Sequence, residues 1–151
     1  MKQKKKTGIL AVSFGTSYED SCRCTIGALE ADFKRVFSHM PVKRAFTSTI
    51  IMRIWKERGV EIPDTMQALA QMAEEGIEEV LIQPTHLLAG EEYEKLCAQA
   101  EGFRGRFRRM EIGVPLLNDE EDLKSVAAFY AEHFPREEGE ALVLKIGRAH
   151  V

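Results

Sequence analysis

Short apolar runs alternate along this chain with longer segments in which apolar residues recur every three or four positions. The runs contain few polar residues, which is typical of strands covered on both faces in a parallel sheet. The longer segments have the spacing of helices with one buried face. This pattern predicts four strands that alternate with helices, at residues 7–13, 42–46, 79–83 and 110–114.

Polar residues that can cap a helix stand where the predicted helices begin. Three of these starts have the spacing of a capping box, in the pairs Ser17 and Asp20, Asp64 and Gln67, and Asn118 and Glu121. Thr47 and Ser48 are candidate caps for the helix after the second strand. The first helix is predicted to bury one continuous stripe, formed by Cys22, Ile26, Leu29, Phe33 and Val36.

Successive strand–helix units predict an α/β fold in which a four-stranded parallel sheet carries helices on both faces. A fifth apolar run, at residues 141–146, follows an acidic linker and has the pattern of a further buried strand. We therefore expect one domain at residues 1–136. Residues 137–151 are expected to form a linker and the truncated first strand of a second domain.

Charge and composition argue against some kinds of function. The chain has 151 residues and a net charge of −3, whereas a nucleic-acid-binding surface requires a basic face. No segment approaches the roughly 20 apolar residues of a membrane span. The three cysteines lack the spacing of a disulfide framework or a zinc pair. These features predict a cytoplasmic protein that binds neither nucleic acid nor membrane.

Candidate chemistry is concentrated after the third strand. Pro84 ends the apolar run, His86 follows it, and Glu92 lies in the first turn of the helix that starts after Gly90. Ligands of open α/β sheets bind beyond the carboxyl ends of the strands. A histidine and a carboxylate there suit proton transfer or the handling of a divalent metal such as Co, Fe, Ni or Zn. Each residue alone also has a structural interpretation, His86 as a satisfied histidine and Glu92 as a carboxylate favoured by the helix dipole.

The loop after the first strand is a second candidate, and it consists of Ser13, Phe14, Gly15, Thr16 and Ser17. It has a single glycine and no lysine, so it matches neither the dinucleotide fingerprint nor the P-loop. Its hydroxyl and backbone N–H groups could bind an anion such as a ligand carboxylate. Helix capping by Ser17 is the alternative interpretation.

Four stretches, in order along the chain, resemble the anaerobic cobalt chelatases, the sirohydrochlorin cobaltochelatases of cobalamin biosynthesis. They are AVSFGTSY at residues 11–18, RAFTS at 44–48, IQPTHLLAGEEYEK at 82–95 and GVPLL at 113–117. The resemblance implies a class II chelatase fold, in which two similar α/β domains enclose a tetrapyrrole cleft. It also implies insertion of Co²⁺ into sirohydrochlorin without ATP or an organic cofactor, the metal being a substrate.

The same resemblance assigns roles to individual residues. Glu92 matches the family's cleft glutamate and is expected to be catalytic, as a proton acceptor or a guide for the metal. The loop Ser13–Ser17 matches a segment that lines the cleft, and His86 matches a position beside it. These residues are expected to bind the substrate, and no metal ligand is assigned, because the family's ligands fall in its second half.

The chain departs from the family pattern at its end. Gly147 and Arg148 stand where the family has a glycine-histidine-glycine motif that carries its main base. Residues 146–151 resemble a translated sequencing adapter, so we expect an artefactual tail on a truncated, inactive fragment. Two alternatives stay open: iron or nickel chelation on the same scaffold, and a non-catalytic tetrapyrrole- or metal-binding module, including one that forms a homo-oligomer.

Overall fold

The computed structural model describes residues 6–141. The predicted fifth strand beyond residue 141 and the predicted tail at 146–151 lie outside this range. The chain divides into two compact units, Met1–Leu116 and Leu117–Val151. The domain boundary predicted at residue 136 stays a prediction.

The first unit contains a four-stranded, wholly parallel sheet with the order β2-β1-β3-β4. The strands are β1 Thr7–Ser13, β2 Val42–Phe46, β3 Glu79–Pro84 and β4 Arg109–Ile112. Six residues of β1 form the register with β3, from Thr7 opposite Glu79 to Val12 opposite Pro84. The predicted α/β fold with a parallel sheet is confirmed. The bounds of β1 and β2 are those predicted, and those of β3 and β4 differ by one or two residues.

Helices connect the strands. They are α1 Glu19–Cys22, a π-helical segment Arg23–Gly27, α2 Ala28–Val36, α3 Thr49–Glu57, α4 Thr65–Glu74 and α5 Glu91–Glu101, with a short 3-10 turn at Arg104–Arg106. The predicted capping box of Asp64 and Gln67 is present at α4, and Ser48 caps α3 by accepting a bond from the N–H of Ile51. The capping box predicted at Ser17 is wrong, because Tyr18 is the N-cap and no side chain caps this helix.

Buried side chains form two clusters on opposite faces of the sheet, because successive strand residues point to opposite sides. Ala45 belongs to the first cluster and Phe46 to the second. The first joins β1 and β3 to α4 and α5 through residues that include Leu10, Val12, Leu69, Met72, Val80, Ile82 and Leu96. The second contains Cys22, Phe46, Ile51, Trp55 and Ile62. Helices therefore cover both faces, which makes the unit a three-layer domain.

The π-helical segment changes which side of the first helix is buried. Thr25 donates from its hydroxyl to the Ser21 carbonyl at 2.6 Å, a bond back along the helix that disturbs regular α geometry. Beyond the segment Glu30 is only 6% exposed, whereas Leu29 and Val36 are 38% and 57% exposed. The predicted continuous apolar stripe is wrong at Leu29 and Val36.

Glu30 is buried because β2 supplies its partner. Arg44 donates from Nε and Nη2 to the two carboxylate oxygens of Glu30, each at 2.7 Å. This bidentate contact raises the pKa of Arg44, the hydrogen bond to Glu30 being the main cause. The ion pair therefore attaches the first helix to the edge strand of the sheet.

The second unit contains α6, Glu120–His133. Its capping box consists of Asp119 and Asp122, one residue after the predicted pair. Near its end the rings of Phe129 and His133 stack with centroids 4.1 Å apart. Within the described range, no helix of the protein has both the length and the apolar character needed to cross a membrane.

Candidate active site at the carboxyl edge of the sheet

The candidate residues meet where β1 and β3 end. In the order β2-β1-β3-β4 the chain leaves β1 towards one edge strand and leaves β3 towards the other. Such a switch of direction opens a crevice outside the carboxyl ends of the two central strands, where ligands of open α/β sheets bind. The loop Ser13–Ser17 follows one of these strands and residues 85–90 follow the other.

A hydrogen bond between side chains joins the two loops. Thr85 donates from its hydroxyl to the buried hydroxyl oxygen of Ser13 at 2.8 Å. The Thr85 N–H also bonds to the Val12 carbonyl at 2.9 Å, which extends the strand pairing beyond β3. Thr85 was not predicted as a site residue. The only signal for it in the sequence is its place between the strand and His86.

Gly15 allows the first loop to lie against the sheet. Its φ angle is +99°, a conformation that side chains with a Cβ rarely adopt. A Cβ here would lie 2.7 Å from the Phe46 ring, which is fully buried and cannot yield. The backbone around Gly15 therefore packs directly on an aromatic ring, and this fixes the path of the loop.

The hydroxyls of the loop are only partly used by the protein. Thr16 accepts a bond on its hydroxyl from the Tyr18 N–H at 3.3 Å. Ser17 does not cap the following helix, which removes the alternative explanation for its hydroxyl. Phe14 is half-buried and packs against the second core cluster. The loop therefore presents polar groups whose roles the fold alone does not explain.

His86 and Glu92 are brought together by the connection from β3 to α5. Both ring nitrogens of His86 and the Oε2 atom of Glu92 are buried, and none has a hydrogen-bond partner among the described residues. Burial lowers the pKa of His86 below its ordinary value, while the nearby negative charge of Glu92 acts in the opposite direction. At neutral pH the imidazole is therefore uncharged, with one nitrogen lone pair available as a base or a metal ligand.

Two side chains of α5 hold Glu92 in place. Lys95 donates to the Thr47 carbonyl at 3.2 Å, just beyond β2, and the Tyr93 hydroxyl donates to the Gly113 carbonyl at 3.3 Å, just beyond β4. The first turns of α5 are thus attached to both edge strands. Neither residue was predicted as part of the site, because no local pattern shows which strand a helix residue will reach.

Large apolar side chains are exposed in the loops after β3 and β4. Leu87 and Leu88 follow His86, while Val114 and Leu116 follow Gly113, and exposure reaches 57% at Leu88 and 58% at Leu116. The Leu116 N–H donates to the His86 carbonyl at 3.0 Å, so the two loops are adjacent. Exposed apolar groups next to unpartnered polar atoms are characteristic of a ligand-binding surface.

The described residues contain no group of three or more His, Cys, Asp and Glu side chains that could hold a metal ion. His86 and Glu92 supply two donors of the nitrogen and oxygen type, which suits a divalent metal that is held weakly and released. The roles predicted for Ser13–Ser17, His86 and Glu92 stay predictions. What the structure provides is their common place at the carboxyl edge.

The fold and this edge define an α/β protein with a candidate ligand site at a topological switch point. Among solved structures, the chain resembles the crystal structure of a CbiX protein assigned to cobalamin (vitamin B12) biosynthesis from Marinobacter aquaeolei VT8. The TM-score is 0.54, and the likeness covers 87% of this chain and 99% of that chain. The two sequences are 14% identical, so this likeness establishes the fold alone.

Sequence comparison then identifies the family. The model of the cobalt chelatase (CbiK) family matches residues 7–150, and the chain belongs to this family. It is 37% identical over 131 residues to the sirohydrochlorin cobaltochelatase of Salmonella typhimurium (strain LT2), which covers 86% of this chain and 50% of the relative. It is 31% identical over 142 residues to the sirohydrochlorin cobaltochelatase CbiKC of Nitratidesulfovibrio vulgaris (strain Hildenborough), which covers 91% and 50%. The chain spans about half the length of these relatives, and the resemblance predicted from the four sequence stretches is confirmed.

Proposed function

We propose that this chain is one half of a lyase that inserts Co²⁺ into sirohydrochlorin during cobalamin biosynthesis, without ATP or an organic cofactor. The observation that carries the proposal is the pair formed by His86 and Glu92, whose buried polar atoms lack partners at the carboxyl edge of the sheet. Membership of the cobalt chelatase family and the names of two relatives support this substrate and metal.

The reaction explains why such a pair is needed. Insertion of a divalent metal removes two N–H protons from the macrocycle while the metal loses its bound water. Glu92 supplies a carboxylate that can accept a proton, and the uncharged imidazole of His86 offers a second base. His86 and Glu92 alone are too few donors for a closed metal site, so further ligands would come from the second half of the protein.

The surroundings of the pair suit the substrate. Sirohydrochlorin is a flat macrocycle with carboxylate side chains. The exposed apolar groups Leu87, Leu88, Val114 and Leu116 can contact its ring. The hydroxyl and N–H groups of residues 15–17 can bind its carboxylates, whereas the buried Ser13 hydroxyl is bonded to Thr85. A cytoplasmic location is part of the proposal, and three unpaired cysteines are consistent with it.

The test of the mechanism is the substitution Glu92→Gln in the full-length protein that contains this half. Removal of the proton acceptor should lower the rate of Co²⁺ insertion by about 10²-fold, measured as the change in sirohydrochlorin absorbance. Glu91→Gln is the matched control, because Glu91 is exposed in the same helical turn and should have little effect. An unchanged rate in Glu92→Gln would remove Glu92 from the mechanism.

The identity of the metal is tested by competition. A histidine and a carboxylate also accept iron and nickel, and the affinity order of divalent metals does not by itself decide which one a protein uses. Insertion rates for Co²⁺, Fe²⁺ and Ni²⁺ should be compared under identical conditions. We expect cobalt to be preferred, and faster insertion of iron or nickel would replace it in the proposal.

A further inference from the structure

Two side chains at the end of α3 hold the backbone of the first loop. Trp55 donates from Nε1 to the Thr16 carbonyl at 2.7 Å, and Arg58 donates from Nη1 to the Ser17 carbonyl at 2.5 Å. The Arg58 guanidinium lies 5.7 Å from the centre of the Trp55 ring, within range of a cation–π contact. Because Trp55 is only 7% exposed, the core fixes one donor and the ring orients the other.

The same region of the chain binds two more carbonyls of the loop. The Thr47 N–H donates to the Ser13 carbonyl at 2.9 Å, and the Ser48 N–H donates to the Phe14 carbonyl at 3.2 Å. Four of the five carbonyls in Ser13–Ser17 are therefore bound by residues 47–58. In this loop only the Gly15 carbonyl has no such contact among the described residues.

This arrangement orients the peptide groups of the loop. In a trans peptide the N–H points opposite to the preceding carbonyl. Because the Phe14 and Thr16 carbonyls face the β2–α3 region, the N–H groups of Gly15 and Ser17 point away from it. An anion that approaches from that side meets the N–H groups of Gly15 and Ser17 instead of carbonyl oxygens, and exposed backbone N–H groups favour negative charge.

We propose that Trp55 and Arg58 are positioning residues that give the enzyme its preference for a polycarboxylate tetrapyrrole. They act through the loop, by turning its carbonyl oxygens away from the carboxylates of the substrate. The identity of the substrate in this inference rests on the proposed function. The orientation of the loop stands on the hydrogen bonds themselves.

The experiment compares Trp55→Phe and Arg58→Gln with wild-type protein. Trp55→Phe keeps an aromatic ring but removes the Nε1 donor, and Arg58→Gln removes the guanidinium. Binding of sirohydrochlorin and of its fully esterified, uncharged form to the 151-residue chain is measured by fluorescence. Each variant should weaken binding of the acid about fivefold to tenfold, the usual effect of one lost hydrogen bond, and leave binding of the ester unchanged.

Lys56→Gln is the matched control for charge. Lys56 is an exposed residue between the two positioning residues, and its nearest acidic partner is Glu61 at 3.8 Å. This control should bind both forms of the ligand like wild-type protein, and Arg58→Lys should restore part of the affinity for the acid. Equal weakening of acid and ester, together with a lower free energy of unfolding, would show a structural role and overturn the inference.

Hydrogen exchange at the amides that are bonded to the loop separates this inference from the proposed function. In both variants the N–H groups of Thr47 and Ser48, which donate to the Ser13 and Phe14 carbonyls, should exchange faster, and in Lys56→Gln they should not. Unchanged exchange would refute the positioning role whether or not sirohydrochlorin binds. If the wild-type 151-residue chain binds neither form of sirohydrochlorin, the inference that this loop selects the substrate is overturned, and the exchange rates still decide whether Trp55 and Arg58 hold the loop.

Discussion

His86 shows how a single residue acquires a chemical role from its surroundings. Both of its ring nitrogens are buried without partners, and burial keeps the imidazole uncharged by lowering its pKa. A histidine that served only to stabilise the fold would be expected to use at least one nitrogen in a hydrogen bond. The Oε2 atom of Glu92 is likewise buried without a hydrogen-bond partner among the described residues. These two residues therefore carry the strongest indication of function in the described part of the chain.

The lowered pKa of His86 predicts a pH dependence of stability. The unfolded chain binds the proton more readily than the folded protein, so the free energy of unfolding falls as the pH drops below about 6.5. His86→Gln removes this titration and should lose less stability than wild-type protein between about pH 7 and pH 5. Urea denaturation at both pH values measures the difference.

His39 provides the control, because it is an exposed histidine in the same unit. His39→Gln should show the pH dependence of wild-type protein. If His86→Gln and wild-type protein lose the same free energy of unfolding on acidification, His86 does not titrate as the structure indicates.

At the scale of elements, the sequence predicted the order and type of strands and helices well, because the two central strands contain the apolar runs Gly8–Val12 and Val80–Ile82. It predicted the capping box at Asp64 because that signal is local. It missed the burial of Glu30, since the reason lies in Arg44, a residue of β2. It also missed Lys95 and Tyr93 as supports of α5, because their partners are carbonyls of distant loops.

The conformation of Gly15, in the loop after β1, predicts that Gly15→Ala will lower the free energy of unfolding substantially. The φ angle of +99° already disfavours alanine, and the added Cβ would clash with Phe46. We expect a loss of about 3 kcal/mol in the free energy of unfolding, measured with urea. Gly59→Ala is the matched control, because Gly59 has a φ angle of +82° and nothing within 4 Å of the added Cβ. It should cost about 1 kcal/mol, and an equal cost at both positions would show that contact with Phe46 is unimportant.

The ion pair between α2 and β2 gives a second prediction for an element. Glu30→Gln keeps the shape of the side chain but leaves Arg44 without a charged partner, and should cost about 2 kcal/mol of unfolding free energy. Asp32→Asn breaks an exposed ion pair with Arg35 on the same helix and should cost less than about 0.5 kcal/mol. If the two substitutions lowered the free energy of unfolding by similar amounts, burial of the Glu30–Arg44 ion pair would not increase its contribution to stability.

At the scale of the whole molecule, the candidate site belongs to the first unit. The candidate residues lie at the carboxyl edge of one parallel sheet, and the described residues form no cluster of three or more metal-binding side chains. The chain also spans about half the length of the relatives it matches. We propose that a second half completes the cleft, supplied by the remainder of a longer protein or by a second copy of this chain.

This view predicts that the 151-residue chain alone does not insert Co²⁺ into sirohydrochlorin. Absorbance of the tetrapyrrole during incubation with the metal tests this, with a full-length cobalt chelatase as the positive control. Sedimentation of the same sample shows whether the chain is a monomer or a dimer. Turnover by a monomer would contradict the need for a second half, whereas turnover by a dimer would identify a second copy as that half.

The π-helical segment Arg23–Gly27 makes the first helix sensitive to its number of residues. A π-helical segment accommodates one residue more than regular α geometry, so deletion of one residue there would restore the α-helix and leave residues 28–36 facing β2. Insertion of one residue would instead turn residues 28–36 by about 100° and move Glu30 away from Arg44. A single-residue deletion in this segment should therefore be tolerated far better than a single-residue insertion.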